Sequence, residues 1–427
     1  MAVKYIKVPV ADIATAFASG NWQTEDGNER YDVLGDYAML RYDDSDEPTY
    51  VSGGTPLTVS QALTEVEGLS WEVAFSWDSP EKVIDIGAGN EFHGMIAPFS
   101  GARHTVVYSD PADSNKGKFY IKNLAGTKVV SDTTFDTNDS RNIWAATLTN
   151  GNVAIAYSRV TTGIQGIVYI ASRNGSGTEV TAPTSLSTGK SDSNRCCALT
   201  SGNLAITYVD KDDSSKGKFI IVQEDGTVVK AITTFSTDVV DSANHDCFEL
   251  TGGGFVIVWV NSTSGNIEFA IYDNSGTSVK ATTTFITGSG SGVGSCTGAS
   301  YADGSFFLRG ADFGDGQRFT IFNAAGTSTV QDATGQFTPL ALSEKATTLN
   351  GYSIFVGSNP LDSNKLKFAI LDYELGSFLS QVDVNGGAWE RCRYIKLTDT
   401  NHILVGKRTD DSNNVYQMNF YFDPDQL

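Results

Sequence analysis

The side chains best suited to bind a ligand recur along the chain at a spacing of about fifty residues. Trp144, Arg195 and Arg393 fall at one position of a repeated pattern, and Asp246 and Thr297 fall at the same position in other copies. Arginine binds carboxylates through a planar fork of donors, and tryptophan packs against sugar rings and cations. The candidate ligand-binding residues are Arg141, Trp144, Arg195, His245, Trp389, Arg391 and Arg393. The alternative is that they are rim residues satisfied by local partners.

Aspartates form a second group with possible chemistry, since carboxylate oxygens are ligands of Ca²⁺. The weak metal candidates are Asp110, Asp113, Asp210, Asp212 and Asp213. Their spacing matches no twelve-residue calcium loop, and lysines follow closely. The alternative is a solvated hairpin in which Asp and Ser side chains cap their own backbone. No cofactor is expected.

Catalytic motifs are missing from the sequence. There are four histidines, and neither GxSxG nor HExxH occurs. The five cysteines lack CxxC spacing, which argues against a zinc site or a disulfide framework. Cys196 and Cys247 replace Ala145 at one repeat position, as small spacers would. No catalytic residue is assigned, although carboxylates from distant repeats leave a polysaccharide-degrading enzyme as an alternative.

The elements that must position these residues form a repeat. A turn followed by an apolar strand recurs at 149–157, 200–208, 251–259, 302–310, 349–357 and 398–406, with a weaker copy at 99–108. A second turn series contains Gly126, Gly177, Gly226, Gly276, Gly326 and, degenerate, Gly376. Each period resolves into four strands, which is typical of a β-propeller blade of about fifty residues. Counting copies predicts an all-β, seven-bladed propeller over 79–427.

The two ends of the repeat region complement each other. The last copy stops at Leu427, one strand short, and an isolated strand is predicted at 81–87. We expect that strand to complete the last blade, which would leave no exposed strand edge. A six-bladed ring that excludes the copy around Gly101 is the alternative.

Residues 1–78 form a separate region of different composition. Residues 1–80 carry 14 acidic and 4 basic side chains, half of the net charge of −20. The pattern predicts a small α+β domain with strands at 3–10 and 70–77, a hairpin at 29–44, and helices at 11–19 and 58–68. Such a domain would dock on a basic partner or simply be a solubilising surface. The negative charge argues against nucleic acid as a partner.

The connections between strands differ on the two faces of the predicted propeller. One face carries short repetitive turns such as 148–152, and the other carries longer, varied loops such as 109–118 and 209–218. Variable loops on a rigid scaffold are the usual place for recognition. We therefore expect ligands at the face with the longer loops, called the loop face below; the opposite one is the turn face.

The segment 251–279 resembles the degenerate propeller repeats of phage tail and receptor-binding proteins and of bacterial surface adhesins. The matching residues are Gly253, Trp259, Tyr272, Asp273 and Gly276, and the resemblance extends over about 80–427. It implies a propeller fold and a surface role, and it carries over no catalytic residue.

Together these observations predict a non-enzymatic virion structural or host-surface adhesion module. Residues 1–78 would bind other virion proteins, and the loop face would bind a host-surface glycan or protein. The N-terminus lacks the pattern of a secretion signal, and no apolar run is long enough for membrane insertion. We expect a virion location and a homo-oligomer or symmetric array. The alternatives are a capsid decoration protein or a bacterial surface adhesin.

Overall fold

The computed structural model describes most of the repeat region and the strands of the N-terminal region. The described residues are 3–9, 31–34, 37–43, 50–52, 55–57, 72–77, 81–84, 94–99, 103–123, 125–162, 165–187, 189–287, 293–312, 316–330, 347–349, 352–359, 365–372, 377–396, 401–408, 410–411 and 414–422. Contacts divide the chain into two units. Unit 1 comprises 1–81, 398–404 and 417–427, and unit 2 comprises 82–397 and 405–416.

Unit 1 is built from strands in its described part. Its N-terminal strands are β1 (Val3–Pro9), β2 (Tyr31–Leu34), β3 (Tyr37–Asp43), β4 (Tyr50–Ser52), β5 (Thr55–Leu57) and β6 (Glu72–Trp77). β1 lies between β3 and β6, and both pairings are antiparallel. β4 and β5 form a separate hairpin. The predicted helices at 11–19 and 58–68 lie outside the described residues.

The remaining strands follow the fifty-residue repeat. They are β7 (Glu81–Ile84), β8 (Gly94–Phe99), β9 (Arg103–Asp110), β10 (Lys116–Asn123), β11 (Lys128–Thr147), β12 (Val153–Thr162), β13 (Gln165–Arg173), β14 (Glu179–Ser185), β15 (Ser191–Ala198), β16 (Leu204–Asp210), β17 (Lys216–Val222), β18 (Val228–Glu249), β19 (Phe255–Asn261), β20 (Ile267–Tyr272), β21 (Ser278–Ile286), β22 (Val293–Ser300), β23 (Phe306–Asp312), β24 (Gly316–Phe322), β25 (Ser328–Val330), β26 (Thr347–Leu349), β27 (Tyr352–Asn359), β28 (Lys365–Asp372), β29 (Ser377–Lys396), β30 (Asn401–Arg408) and β31 (Val415–Phe422).

Unit 2 consists of antiparallel four-stranded blades. β8, β9, β10 and the first half of β11 form blade 1, and the second half of β11 begins blade 2 with β12, β13 and β14. Blade 3 runs from β15 to the first half of β18, blade 4 from the second half of β18 to β21, and blade 5 from β22 to β25. The long strands β11, β18 and β29 thus run from the outer edge of one blade to the inner edge of the next.

The tight turns within the blades are built by glycine. In blade 2 the Leu148 N–H donates to the Asn152 carbonyl at 2.8 Å, and the Gly151 N–H donates back to the Leu148 carbonyl at 2.9 Å. Gly151 has φ 82°, a left-handed conformation that glycine adopts without steric cost. The same bonds recur around Gly202 and Gly253. This repeated chemistry explains why the sequence predicts these turns.

In blades 1, 2 and 4, whose side chains are described, burial falls from the middle of the blade to its outer strand. Every residue of β19 is buried, because this strand packs against neighbouring blades on both of its faces. The outer strand β21 is mostly exposed, and Val279 in it is 61% exposed. The core therefore lies between blades and contains the apolar second and third strands together with inner-strand residues such as Met95, Trp144 and Cys196.

The inner strands lie side by side in chain order. β8 lies next to β11, β11 next to β15, β15 next to β18, and β18 next to β22. Further along, β22 contacts β26, β26 contacts β29, and β29 contacts β8. The last strand, β31, pairs with β30, with β6 and with β7.

The predicted all-β propeller fold is confirmed at the level of fold class. The number of blades, the α+β character of the N-terminal region and the boundary at residue 78 remain predictions. No described helix has the length and apolar character required to cross a membrane.

Candidate functional site

Hydrogen bonds between neighbouring blades occupy the turn face. Asn150 Nδ2 and Asn152 Nδ2 of blade 2 donate to the Glu224 carboxylate of blade 3, at 2.7 and 2.9 Å. Asn274 Nδ2 of blade 4 donates to Thr200 Oγ1 of blade 3 at 3.0 Å. The polar side chains of this face therefore hold blades together.

On the loop face, several ion pairs are partly exposed to solvent and stay within one loop or one blade. Arg141 forms a two-bond fork with Asp139, and the two side chains are 26% and 25% exposed. Lys211 lies 3.4 Å from Asp192 near the start of blade 3. These pairs present both charges to solvent.

Backbone conformation also distinguishes the two faces. Among the described residues, all non-glycine residues with positive φ lie on the loop face: Ser114, Asn115, Asn142, Ser193, Ser214 and Ser215. Such conformations cost free energy without glycine and tend to accumulate at functional sites. The strand register also shifts between Arg141 and Trp144 and between Asp192 and Arg195, so β-bulges mark the start of these inner strands.

Three predicted ligand-binding residues meet at one indole ring. The Arg195 guanidinium carbon lies 4.4 Å from the Trp144 ring centroid, and that of Arg393 lies 5.4 Å from it. These residues come from β15, β11 and the second half of β29. Arg195 is 7% exposed, Trp144 is 1% exposed and Arg393 is 4% exposed. We call them the inner-strand cluster.

Neutral groups help to orient the two arginines. Arg195 Nη1 donates to Ser193 Oγ and to the Asn194 carbonyl, at 2.9 and 3.0 Å. Arg393 Nε donates to the Gly94 carbonyl at 3.2 Å. The first bonds depend on the bulge that contains Ser193, so the loop-face backbone sets the position of Arg195.

The neighbouring inner-strand positions are also polar. Asp246 accepts hydrogen bonds from Thr297 Oγ1 at 2.7 Å and from the Cys247 N–H at 2.8 Å. Burial, and then the charge of Arg195, keep the pKa of His245 well below its ordinary value. The backbone groups of Thr207 and Ser242 oppose this shift only weakly, because neither ring nitrogen of His245 makes a well-formed hydrogen bond. His245 is therefore neutral at pH 7.

Arg141 and Trp389 have other partners. Arg141 pairs with Asp139 on the loop face, as described above. Trp389 is fully buried and contacts Tyr416 edge-on, with ring centroids 6.3 Å apart. For Arg391 the structure describes only the backbone, which lies in β29.

The aspartates proposed as weak metal ligands are held by lysines or by backbone groups. Lys118 lies 2.6 Å from Asp110 and 3.0 Å from Asp113, and Lys218 contacts Asp210 and Asp213 in the same way. Asp212 accepts from the Lys190 N–H. Within the described part of the chain, no three His, Cys, Asp or Glu residues form a group that could hold a metal ion.

Sequence analysis did not identify a buried carboxylate of blade 1, Asp136, that is bound by residues of blade 2. Asp136 accepts from Tyr157 Oη at 2.6 Å and from Arg159 Nε at 2.8 Å, and Arg159 also stacks on Tyr169. Burial alone would raise the pKa of Asp136, but hydrogen bonds from Tyr157, Asn138 and Arg159 outweigh it and lower the pKa. When the repeats are aligned on the turn glycine, Arg159 falls at the position of Asp210 in the next copy. This change of charge was the sequence signal that blade 2 differs at this position.

These blades and inner strands define the fold of a β-propeller. A lectin from Burkholderia pseudomallei is similar in structure, with a TM-score of 0.57 and 11% identity over 78% of this chain and 97% of that chain. The WD40 propeller domain of Doa1 gives 0.47 with 13% identity, covering 81% of this chain and 98% of the other. An ulvan lyase of polysaccharide lyase family 25 gives 0.49 with 11% identity, covering 78% and 94%.

These likenesses concern the fold alone. No protein-family model matches the sequence, and no curated protein matches it.

Proposed function

We propose that this protein is a non-enzymatic adhesion module whose loop face binds a glycan or a protein on a host surface. The observation that carries the proposal is the concentration of left-handed serine and asparagine residues on the loop face, from Ser114 to Ser215. A backbone that is costly to form, next to charges that are about a quarter exposed, is typical of a recognition surface. On the turn face, the left-handed residues within the described ranges are glycines.

The wider assembly belongs to the same proposal. The module is a virion component, residues 1–78 bind other virion proteins, and many copies in a symmetric array strengthen weak contacts through avidity. The propeller has seven blades, with β7 contributing to the last of them. Supporting this count, the inner strands follow one another from β8 to β29, and β29 contacts β8.

The similarity to a lectin is consistent with glycan binding, but it is a similarity of fold. The proposal therefore depends on this chain's own loop face and not on the lectin's ligand.

A glycan array tests the proposal with variants of the two faces. The variant Arg141→Ala with Lys211→Ala changes the loop face, and Asn150→Ala with Glu224→Ala is the matched change on the turn face. We expect the intact protein to bind a subset of glycans, with binding reduced by about tenfold or more in the loop-face variant only. Loss in the turn-face variant alone, or no binding by the intact protein, would contradict glycan recognition by the loop face.

A further inference from the structure

The turn between the third and fourth strands of blade 2 surrounds an amide oxygen with hydrogen-bond donors. Asn174 Oδ1 accepts from the Ser176 N–H at 3.0 Å, from Ser176 Oγ at 2.8 Å and from the Thr178 N–H at 2.9 Å. Gly175 follows Asn174, which is partly exposed, and the Gly175 N–H has no acceptor among the described residues. We propose that Asn174 is a modification site, at which this turn promotes spontaneous deamidation to aspartate.

The reaction consumes only water. The Gly175 nitrogen attacks Cγ of Asn174, the bond between Cγ and Nδ2 breaks, and Nδ2 leaves as ammonia with the proton of the Gly175 nitrogen. The product is a five-membered succinimide ring. Water then opens this ring, which gives aspartate when it adds at Cγ and isoaspartate when it adds at the backbone carbonyl carbon. The net change replaces an amide NH₂ by OH, without oxidation or reduction.

The donors of the turn act on the atom at which negative charge develops. Attack on Cγ moves electrons onto Oδ1 of Asn174, and donors already aimed at that oxygen stabilise the charge without reorganisation. Glycine at the next position has no Cβ to hinder the attack. The Gly175 N–H has no protein hydrogen bond to break first, and neither has the leaving Nδ2, within the part of the chain that the structure describes.

Blade 4 contains the same turn with the product side chain in place. Asp273 takes the position of Asn174 and accepts from the Ser275 N–H at 2.8 Å, from Ser275 Oγ at 2.7 Å and from the Thr277 N–H at 2.8 Å. These hydrogen bonds, above all that from the Ser275 hydroxyl, lower the pKa of Asp273 and so favour the charged carboxylate. The turn therefore accommodates aspartate at 174 with its backbone unchanged.

Other turns of this series lack the reactive pair. Asn123 of blade 1 accepts from the Thr127 N–H, but Leu124 follows it in the sequence. Asn323 of blade 5 is followed by Ala324. A side chain on the residue after asparagine hinders attack by its backbone nitrogen, so these asparagines are expected to react more slowly than Asn174.

A second Asn-Gly pair, at 150–151, provides a control within the same chain. The Gly151 N–H donates to the Leu148 carbonyl at 2.9 Å, and Asn150 Nδ2 donates to the Glu224 carboxylate at 2.7 Å. Both the attacking nitrogen and the leaving group are therefore held in hydrogen bonds that the reaction must break. This pair should react slowly in the folded protein, although its two residues are the same.

Deamidation changes the charge at a contact between blades. Arg103 Nη1 of blade 1 donates to the Gly175 carbonyl at 3.0 Å, so a carboxylate at 174 lies beside the residue that Arg103 holds. Opposite charges attract, and the contact between blades 1 and 2 is favoured. The modification needs no ligand and is independent of the proposed adhesion role.

Peptide mapping by mass spectrometry, after incubation of the intact protein in water labelled with heavy oxygen at mildly alkaline pH, tests the proposal. We expect Asn174 to react about tenfold or more faster than Asn150 in the folded protein, and the two to react at similar rates in urea. Ser176→Ala removes one donor to Oδ1 and should slow the reaction at Asn174 only. Gly175→Leu copies the blade 1 sequence and should nearly abolish it.

The product formed at 174 gives a second readout. Isoaspartate predominates in flexible chains, but the donors of this turn polarise the succinimide carbonyl derived from Cγ, so aspartate should predominate in the folded protein. Equal rates at Asn174 and Asn150 in the folded protein would overturn the proposal. A rate at Asn174 that Ser176→Ala leaves unchanged would also overturn it, because the turn would then play no part in the reaction.

Discussion

Glu249 is a carboxylate whose pKa is raised by its surroundings. It ends the inner strand of blade 4, and its Oε1 is buried without a hydrogen-bond partner among the described residues. Burial raises its pKa from 4.5 to about 7, and a hydrogen bond from the Thr200 backbone opposes the shift. Near neutral pH this carboxyl is therefore partly protonated.

This shift predicts a pH-dependent stability. The folded pKa is higher than the unfolded one, so the stabilisation is complete below about pH 4.5 and is lost as pH rises through about 7. We expect the unfolding free energy of the native protein, minus that of Glu249→Gln, to fall across this window by about 1–2 kcal/mol, after allowance for partial exposure. Urea denaturation at a series of pH values measures it. A flat difference would contradict the raised pKa.

At the scale of the element, a glycine in the third strand of two blades allows an aromatic ring to pack on the backbone. A Cβ at Gly217 would lie 2.3 Å from the Phe235 ring, and one at Gly117 would lie 2.4 Å from the Phe135 ring. Phe235 in turn packs on Trp259 of the next blade, with centroids 5.0 Å apart. Gly217 therefore leaves room for Phe235, which in turn packs at the interface with the next blade.

We expect Gly217→Ala to destabilise the protein by about 1–3 kcal/mol, because the new methyl group displaces the ring. In a Phe235→Leu background the same change should cost much less, since leucine lacks the ring atoms that collide. Denaturant unfolding of the four proteins of this cycle gives the coupling energy. Equal costs in both backgrounds would show that strain in the strand, and not the ring, is responsible.

At the scale of the whole molecule, the last strand has more than one neighbour. Phe420 and Phe422 of β31 pair with Trp77 and Phe75 of β6, and β31 also pairs with β7. Removal of residues 1–78 deletes β6 and keeps β7, whereas removal of 1–84 deletes both. The two deletions therefore separate the N-terminal region from the strand expected to complete the last blade.

We expect the protein lacking 1–78 to remain folded and soluble but to be absent from particles. The protein lacking 1–84 should unfold several degrees lower and self-associate, because an apolar strand edge is then unpaired. Circular dichroism, light scattering and the composition of purified particles measure these outcomes. Incorporation of the protein lacking 1–78 into particles would contradict the docking role of that region. Equal stability of the two deletion proteins would contradict the role of β7.

Sequence alone determined the features that depend on neighbours along the chain. Turn glycines such as Gly151, the strands around them and the fifty-residue repeat follow from local backbone chemistry, and these predictions agree with the described strands. The shared position of Trp144, Arg195 and Arg393 was also visible in the repeat. Only the tertiary structure showed that both arginines reach the same indole, and that Gly217 lies beneath Phe235. Those contacts join residues far apart in sequence, and they depend on how neighbouring blades pack, which no local pattern encodes.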